Sequence, residues 1–203
     1  MTNIIEKLSE LFREFPGIGP RQARRFVYFL LRQDKAYVAN LIEHIKELRE
    51  GVSECGSCFR FFVVRSDLID PTLCEFCADP HRNKSVLVVV EKDIDLENVR
   101  KTGKFEGQYF VLGGLLPILE KNPESRIRIQ ELRQRLVEDK NIKEVILALS
   151  ANPVGDNTLD YLRNEISKFK NLRISTLGRG LSTGTELEYS DAATLSHALE
   201  NRK

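Results

Sequence analysis

The chain has 203 residues and a hydrophobic composition of 41%, enough for one substantial core with room for smaller modules. Its formal net charge of +1 excludes a protein coated in positive charge, so any nucleic-acid contact must come from a local basic patch. Residues 1–35 supply such a patch, with seven Lys/Arg against four Asp/Glu. No stretch approaches the roughly 18 apolar residues of a membrane span, and no signal-peptide core is recognisable, so we expect a cytoplasmic protein.

The first part of the chain predicts a small all-helical module. Apolar residues recur at helical spacing from Ile4 to Phe15, and the sequence Pro16-Gly-Ile-Gly-Pro20 then ends that helix. A second helix is predicted from about Arg21 to Arg32, and a third carries the apolar residues between Val38 and Leu48. We take residues 1–52 as this module.

The turn between the first two helices has the features of a phosphate site. Gly17 and Gly19 lack Cβ atoms, so their backbone N–H groups can approach another molecule closely. The next helix carries Arg21, Arg24 and Arg25 near its start, where the helix dipole also favours an oxyanion. An ordinary helical hairpin with solvated arginines is the alternative. With its flanking prolines, the element resembles the helix-hairpin-helix motif of proteins that bind DNA without sequence specificity.

The four cysteines form two Cys-x-x-Cys pairs, Cys55 with Cys58 and Cys74 with Cys77, separated by fifteen residues. This spacing is typical of a tetrahedral four-thiolate zinc site, and a reducing compartment also favours a metal over disulfides. Four sulfur ligands leave no position for an activated water, so the site is expected to be structural. A redox role is the alternative, but it needs one such pair at the start of a helix. Residues 53–81 are therefore predicted to be a zinc finger with one Zn²⁺ per chain.

Beyond the cysteines, predicted strands alternate with predicted helices. The strands are Val86–Val90, Tyr109–Leu112, Val145–Leu149 and Leu172–Thr176, and the helices lie near Asp95–Lys101, Ile127–Lys140 and Thr158–Lys170. This alternation implies βαβ crossovers and a mainly parallel sheet. We therefore predict an α/β domain over residues 82–176, followed by a Gly/Ser/Thr-rich and briefly helical tail over 177–203.

Two carboxylates stand out in the α/β domain. Glu91 ends the first predicted strand and Asp95 follows, so together they could hold Mg²⁺ at the carboxyl edge of a parallel sheet. Equally open is that they are a strand terminus and a helix-start residue. Two-cation phosphoryl chemistry needs further carboxylates, and residues 150–157 supply only Asp156. The segment 178–185 fails as a P-loop because Gly184 stands where a lysine is required, so no catalytic residue is predicted.

Several segments carry a family resemblance. They are Phe15-Pro-Gly-Ile-Gly-Pro-Arg21, the cysteine quartet, Tyr109-Phe-Val-Leu-Gly113, Glu186-Leu-Glu-Tyr189 and Thr194-Leu-Ser-His197. In this order they resemble the bacterial RecR family of recombination mediators over nearly the whole chain. The resemblance implies that the α/β unit is a Toprim domain, and that both chain ends assemble dimers or ring-like tetramers that encircle DNA. It also implies RecO and RecF as partners, and loading of recombinase at single-stranded gaps.

The resemblance assigns roles to individual residues. Arg21 and Arg25 fall at DNA-contacting basic positions, and Glu91 and Asp95 fall at acidic Toprim positions implicated in partner binding. Arg179 matches a basic position just before a glycine of the tail, where it is expected to contact the tail.

The chain also departs from the family pattern. Residues 152–157 form a shortened loop in place of a longer one with Glu-Gly-Glu, and Ser182 and Thr185 replace the common Pro and Gly. Enzymatic Toprim domains carry Asp-x-Asp where this chain has Asn152-Pro-Val154. Two carboxylates are therefore missing from the site that a nuclease or topoisomerase needs.

These observations predict an α+β protein of several modules: a helix-hairpin-helix, a four-cysteine zinc finger, a Toprim domain and a C-terminal oligomerisation segment. We expect a non-enzymatic, clamp-like mediator that is associated with the nucleoid and binds single-stranded, double-stranded and junction DNA. One alternative is a metal-dependent Toprim nuclease or topoisomerase-like enzyme, based on Glu91, Asp95 and Asp156. Another is a zinc-dependent protein-interaction adaptor, suggested by the balanced net charge.

Overall fold

The computed structural model describes residues 3–65, 70–181, 184 and 186–202. Ser182 and Thr185, where the tail departs from the family pattern, lie outside the described residues. The chain divides into two compact units, residues 1–52 and residues 53–203. Within the described part of the chain, no helix is both long enough and apolar enough to cross a membrane.

The first unit consists of three helices, α1 (Ile4–Arg13), α2 (Pro20–Arg32) and α3 (Lys35–Gly51). The side chain of Asn3 caps α1 by accepting a hydrogen bond from the Ile5 N–H at 3.2 Å, and Asp34 caps α3 in the same way. Pro20 begins α2 one residue before the predicted start, because its fixed φ suits the first helical position. The rings of Phe12 and Phe26 meet edge to face across α1 and α2, 5.6 Å apart.

The second unit begins with the cysteine segment. Strands β1 (Val52–Glu54) and β2 (Phe61–Val63) form a two-stranded sheet, and the one-turn helix α4 (Glu75–Ala78) follows. We call residues 53–65 and 70–81 the finger.

A parallel four-stranded sheet forms the centre of the second unit. Its strands are β3 (Asn83–Val90), β4 (Gly107–Val111), β5 (Glu144–Ala148) and β6 (Arg173–Thr176), in the order β4-β3-β5-β6. All three pairings are parallel, and Val88 of β3 lies between Tyr109 of β4 and Ile146 of β5. The prediction of a mainly parallel sheet is confirmed for the described residues.

The helices of the second unit are α5 (Asp93–Lys101), α6 (Ile129–Glu138), α7 (Pro153–Ile166) and α8 (Ala192–Glu200). The predicted start of α7 at Thr158 was wrong by five residues. The helix begins earlier because the Asn152 side chain caps it, accepting a hydrogen bond from the Gly155 N–H at 2.8 Å, and Pro153 occupies the first turn. Its predicted end at Lys170 was also wrong, since the helix stops at Ile166.

The two faces of the sheet are buried by different elements, because successive strand residues point to opposite sides. On one face Leu87 and Val89 of β3 join a cluster with Leu132 of α6 and Leu162 of α7. On the other face, Val88 and Val90 cluster with Leu96 of α5 and with residues of the finger. The finger residues in this second cluster are Cys55, Cys58, Phe62 and Cys74. The finger is therefore part of the hydrophobic core rather than an appended loop.

Candidate metal centre and DNA-contact surface

The four cysteines converge on one point. Their Sγ atoms all lie within 4.8 Å of one another, and the Sγ atoms of Cys58 and Cys74 are 3.6 Å apart. Cys55, Cys58 and Cys74 are fully buried, and Cys77 is partly exposed. Four thiolates around one tetrahedral ion at about 2.3 Å stand roughly 3.8 Å apart. The donor set therefore fits a single metal ion, as the spacing of the two pairs predicted.

Backbone contacts hold the two cysteine pairs in this arrangement. The Cys55 N–H donates to the Arg60 carbonyl at 2.8 Å, and the Phe59 N–H donates to the Cys55 carbonyl at 2.9 Å. Phe59 takes a left-handed backbone conformation, φ 60°, which tightens the first turn. The Cys74 N–H reaches the Cys55 sulfur at 3.4 Å, and so brings the second pair against the first.

The thiols are electrostatically linked. Hydrogen bonds from Cys58, Cys74 and Cys77 lower the pKa of the Cys55 thiol. The pKa of Cys58 is raised, first because its own thiol donates to Cys55. Without a cation, then, the cysteines compete for negative charge, and a metal ion is required to hold all of them as thiolates.

An aromatic and arginine stack joins the finger to the sheet. The Phe76 ring lies between two guanidinium groups, with Arg60 at 4.7 Å and Arg82 at 5.1 Å from its centroid. Arg82 also donates from Nε to the Gly107 carbonyl at 2.8 Å, at the start of β4. Arg60 donates to Glu97 of α5 at 3.1 Å. Sequence reasoning did not find this stack, because its members are far apart in the chain.

A second set of contacts attaches the finger to β4, an edge strand of the sheet. The Val111 N–H donates to the Cys58 carbonyl at 2.8 Å. Arg128 pairs with Glu54, lies 5.4 Å over the Phe59 ring and donates to the Val111 carbonyl at 3.3 Å. The finger thus occupies hydrogen-bonding groups that an edge strand would otherwise expose.

The predicted hairpin lies between α1 and α2 and is open to solvent. Gly17 has a φ of +76°, a conformation that L side chains rarely adopt, and nothing lies within 4 Å of a Cβ built on Gly17 or Gly19. Gly19 precedes α2 without a side-chain cap, Pro20 has no N–H, and the Ala23 N–H donates to the Gly19 carbonyl at 3.0 Å. Within the described residues, the N–H groups of Arg21 and Gln22 are therefore the free donors of the first turn.

The arginines of α2 are exposed beside this hairpin. Neither Arg21 nor Arg24 has a carboxylate within 4 Å in the described part of the chain, and Arg25 makes only a 3.5 Å contact with Gln22. Both glycines and all three predicted arginines therefore belong to one accessible surface, which we call the hairpin surface (Gly17, Gly19, Arg21, Arg24 and Arg25).

The acidic pair has structural partners. Glu91 is 7% exposed and accepts a hydrogen bond from Ser150 at 2.9 Å, and it forms an ion pair with Lys92. Asp95 accepts from the Lys92 N–H at 3.1 Å and so satisfies a backbone donor at the start of α5. Within the described ranges, the cysteines are the only group of three or more side chains arranged to hold a metal ion. The arrangement matches the strand-terminus and helix-start interpretation.

Arg179 anchors the start of the C-terminal tail. Its guanidinium pairs with Asp156 in the first turn of α7, and its carbonyl accepts from the Asn201 side chain at 3.0 Å. Arg179 and Asp156 line a cavity of about 580 Å³ together with His197 of α8. The predicted loop over residues 152–157 was wrong, because Asn152 caps α7 and residues 153–157 are helical, and Asp156 is directed to this arginine.

This ion pair predicts a pH effect. The hydrogen bond from Arg179 holds the pKa of Asp156 below its ordinary value of 3.8, so the pair contributes stability above pH 3.8 and loses it as pH falls through the lowered pKa. Both groups are partly exposed, so the contribution should be under about 1 kcal/mol. Thermal unfolding of the parent and of Asp156→Asn should differ near neutral pH and converge as the pH falls below the lowered pKa of Asp156. A difference that persists in acid would contradict this interpretation.

Comparison with known protein families first identifies the class of domain to which the sheet belongs. The Toprim domain profile matches residues 85–178, so the parallel sheet and its helices form a Toprim domain. The profile "RecR, helix-hairpin-helix" matches residues 5–49, and "RecR, C-terminal" matches residues 180–203.

Full-length relatives then define the family. The chain is 38% identical to the Recombination protein RecR of Herpetosiphon aurantiacus over 200 residues, covering 98% of this chain and 93% of that protein. The corresponding protein of Acidothermus cellulolyticus is 36% identical, and that of Myxococcus xanthus is 37% identical. Each of these two matches covers 98% of this chain and 96% of the relative. The chain belongs to the RecR family, and the predicted family and fold class are confirmed.

Proposed function

We propose that this chain is a recombination mediator in DNA repair, which binds DNA without sequence specificity and helps to load recombinase at single-stranded gaps. The observation that carries this proposal is the end-to-end similarity to proteins named Recombination protein RecR, including a matched helix-hairpin-helix. The open glycine turn and the exposed arginines of the hairpin surface supply the donors that a phosphate backbone needs.

The metal is proposed to be Zn²⁺, one per chain, held by Cys55, Cys58, Cys74 and Cys77. Four soft thiolate ligands in a tetrahedral arrangement favour Zn²⁺ or iron–sulfur chemistry. A single compact site with all four sulfurs within 4.8 Å suits one mononuclear ion. When bound, the ion would neutralise thiolate charge and cross-link the two cysteine pairs; the residues around it hold the finger against the sheet.

A non-enzymatic role is favoured over a Toprim nuclease or topoisomerase. Hydrolysis or transfer at a phosphate with two cations requires several carboxylates that converge. Here Glu91 is bonded to Ser150 and Lys92, Asp95 caps α5, and Asp156 pairs with Arg179. These engagements leave Mg²⁺ without an evident catalytic site, while the proposal that Glu91 and Asp95 contact a protein partner rests on the family resemblance.

The remaining assignments extend this proposal. The chain is proposed to work as a dimer or tetramer with RecO- and RecF-type partners, in the cytoplasm at the nucleoid. Its modules are proposed to be residues 1–52 for DNA contact, 53–81 for the zinc finger, 82–176 for the Toprim domain and 177–203 for oligomerisation, with Arg179 as the tail contact.

The function is tested by recombinase loading in the absence of DNA cleavage. Purified chain, together with a RecO-type protein, should increase recombinase filament formation on single-stranded DNA coated with single-strand-binding protein. Supercoiled DNA incubated with the chain and Mg²⁺ or Mn²⁺ should remain intact. Nicking that disappears in Glu91→Gln would favour the enzyme. Failure to retard DNA even at low salt would favour the protein-interaction adaptor.

A further inference from the structure

The two edges of the Toprim sheet differ in charge. In a parallel sheet with helical crossovers, all strands begin at one edge, here called the amino edge. The segments that lead into the four strands are residues 81–85, 101–106, 139–144 and 167–173, and they contain nine Lys/Arg against three Asp/Glu. An excess of six positive charges therefore lies at this edge of a chain whose formal net charge is +1.

Most of these cations have no acidic partner in the described part of the chain. Six exposed lysines have no carboxylate within 4 Å among the described residues: Lys84, Lys101, Lys104, Lys140, Lys143 and Lys170. By contrast, Lys92 at the carboxyl edge lies 2.5 Å from a Glu91 oxygen. Solitary solvated lysines are ordinary, but a cluster of one sign repels itself and attracts a polyanion.

Backbone contacts place the basic segments side by side. The Lys143 N–H donates to the Ser85 carbonyl, and the Arg173 N–H donates to the Lys143 carbonyl, both at 2.8 Å. Four strands at about 4.8 Å spacing make a row roughly 15 Å long. One strand of a DNA duplex carries a phosphate about every 3.4 Å along the helix axis, so the row spans about four phosphates of a stacked strand and fewer phosphates of an extended single strand.

An apolar recess lies within this row. Lys140, Lys143 and Lys170 border a cavity of about 440 Å³ whose lining includes Phe169, a partly buried ring packed on the core. Aromatic rings flanked by cations form the usual contacts with unpaired bases, since the ring stacks on the base while lysines hold the phosphates. Duplex DNA, whose bases are already stacked, would use the lysines alone.

We infer that the amino edge of the Toprim sheet is a second DNA-contact surface, which binds the backbone of single-stranded DNA and receives a base at the Phe169 recess. The inference rests on the proposed DNA-binding function but uses residues in the unit that does not contain the hairpin surface. A long single strand could therefore be bound by two surfaces of the same chain.

The test compares two triple variants with equal loss of charge. In the edge variant, Lys140, Lys143 and Lys170 become Gln; in the control variant, three exposed cations of the same unit that lie outside the basic segments, Lys121, Arg126 and Arg163, become Gln. Binding of a single-stranded oligonucleotide is measured as a function of salt. For the edge variant, the slope of log K against log salt should become shallower by about 2, because each lost phosphate contact contributes about 0.7 on single-stranded DNA. The edge variant should also bind the oligonucleotide at least about tenfold more weakly than the parent at low salt.

A second readout identifies the contact directly. Lysine acylation followed by mass spectrometry should show protection of Lys140, Lys143 and Lys170 by single-stranded DNA, while Lys121 stays reactive. Equal binding and equal slopes in the edge and control variants, with no protection, would overturn the inference. If Arg21→Ala/Arg25→Ala nevertheless weakens DNA binding, the proposed function is retained and the amino edge has no part in it. If only the edge variant weakens binding, the amino edge is retained as a DNA-contact surface and the assignment of the hairpin surface is wrong.

Discussion

A chain carrying Cys58→Ser together with Cys74→Ser is expected to lose its metal and most of the tertiary structure of residues 53–203. Both side chains are fully buried in the cluster that includes Val88 and Tyr109 of the central sheet. Structural zinc contributes about 10–16 kcal/mol of apparent binding energy in zinc-finger peptides. Because whole domains are stable by only about 5–15 kcal/mol, the loss should exceed what the second unit can tolerate.

Metal content and thermal unfolding measure this effect together. The parent should hold about one Zn²⁺ per chain with four sulfur ligands, and removal by a chelator should reproduce the behaviour of the double variant. Ser57→Ala is the matched control, because Ser57 lies within the first cysteine pair but has no ligand role. A double variant that melts at the parent temperature would show that the cluster does not support the fold.

Replacing Arg21 and Arg25 by alanine is expected to weaken DNA binding about 100-fold at low salt. A hydrogen bond to a charged group contributes about 1.5–3 kcal/mol, so at the lower end of this range two lost phosphate contacts cost about 3 kcal/mol, or two decades of affinity. The loss should be the same for every sequence, because phosphate contacts carry no base information. The slope of log K against log salt should fall by about 2 on duplex DNA.

The control for this variant is Arg32→Ala with Arg49→Ala, which removes the same charge from the same unit. Arg32 and Arg49 are exposed and lie in the last turns of α2 and α3, outside the turn that joins α1 to α2. Electrophoretic retardation or fluorescence anisotropy across a salt series measures both the affinity for DNA and the slope of log K against log salt. An unchanged affinity and slope in Arg21→Ala/Arg25→Ala would remove the hairpin surface from the proposed function.

Local patterns in the sequence predicted the elements that depend on local chemistry. The cysteine spacing predicted the metal cluster, the glycine and proline pattern predicted the hairpin, and the apolar run ending at Glu91 predicted the central strand. The start of α7 was missed because Gly155 resembles a helix breaker. A Cβ at Gly155 would lie 1.8 Å from the Ser150 carbonyl oxygen, so glycine is required there by close packing.

Contacts between distant segments were not predictable from local patterns. The stack of Phe76 between Arg60 and Arg82 and the pairing of Asp156 with Arg179 depend on the folded topology. Even so, a signal for the amino edge was present, since basic residues precede each of the four predicted strands. It becomes meaningful only when the strands are known to be parallel and adjacent, because parallel pairing brings those segments together.

The hydrogen bond from the Val111 N–H to the Cys58 carbonyl has a consequence for biosynthesis. All four cysteines are synthesised before β4, the strand that holds the first pair in place. During translation the thiols therefore emerge before their support exists, and contacts between segments distant in sequence form late. Metal capture can therefore begin once Cys77 has emerged, but the finger gains its support from the sheet only after β4 has been made.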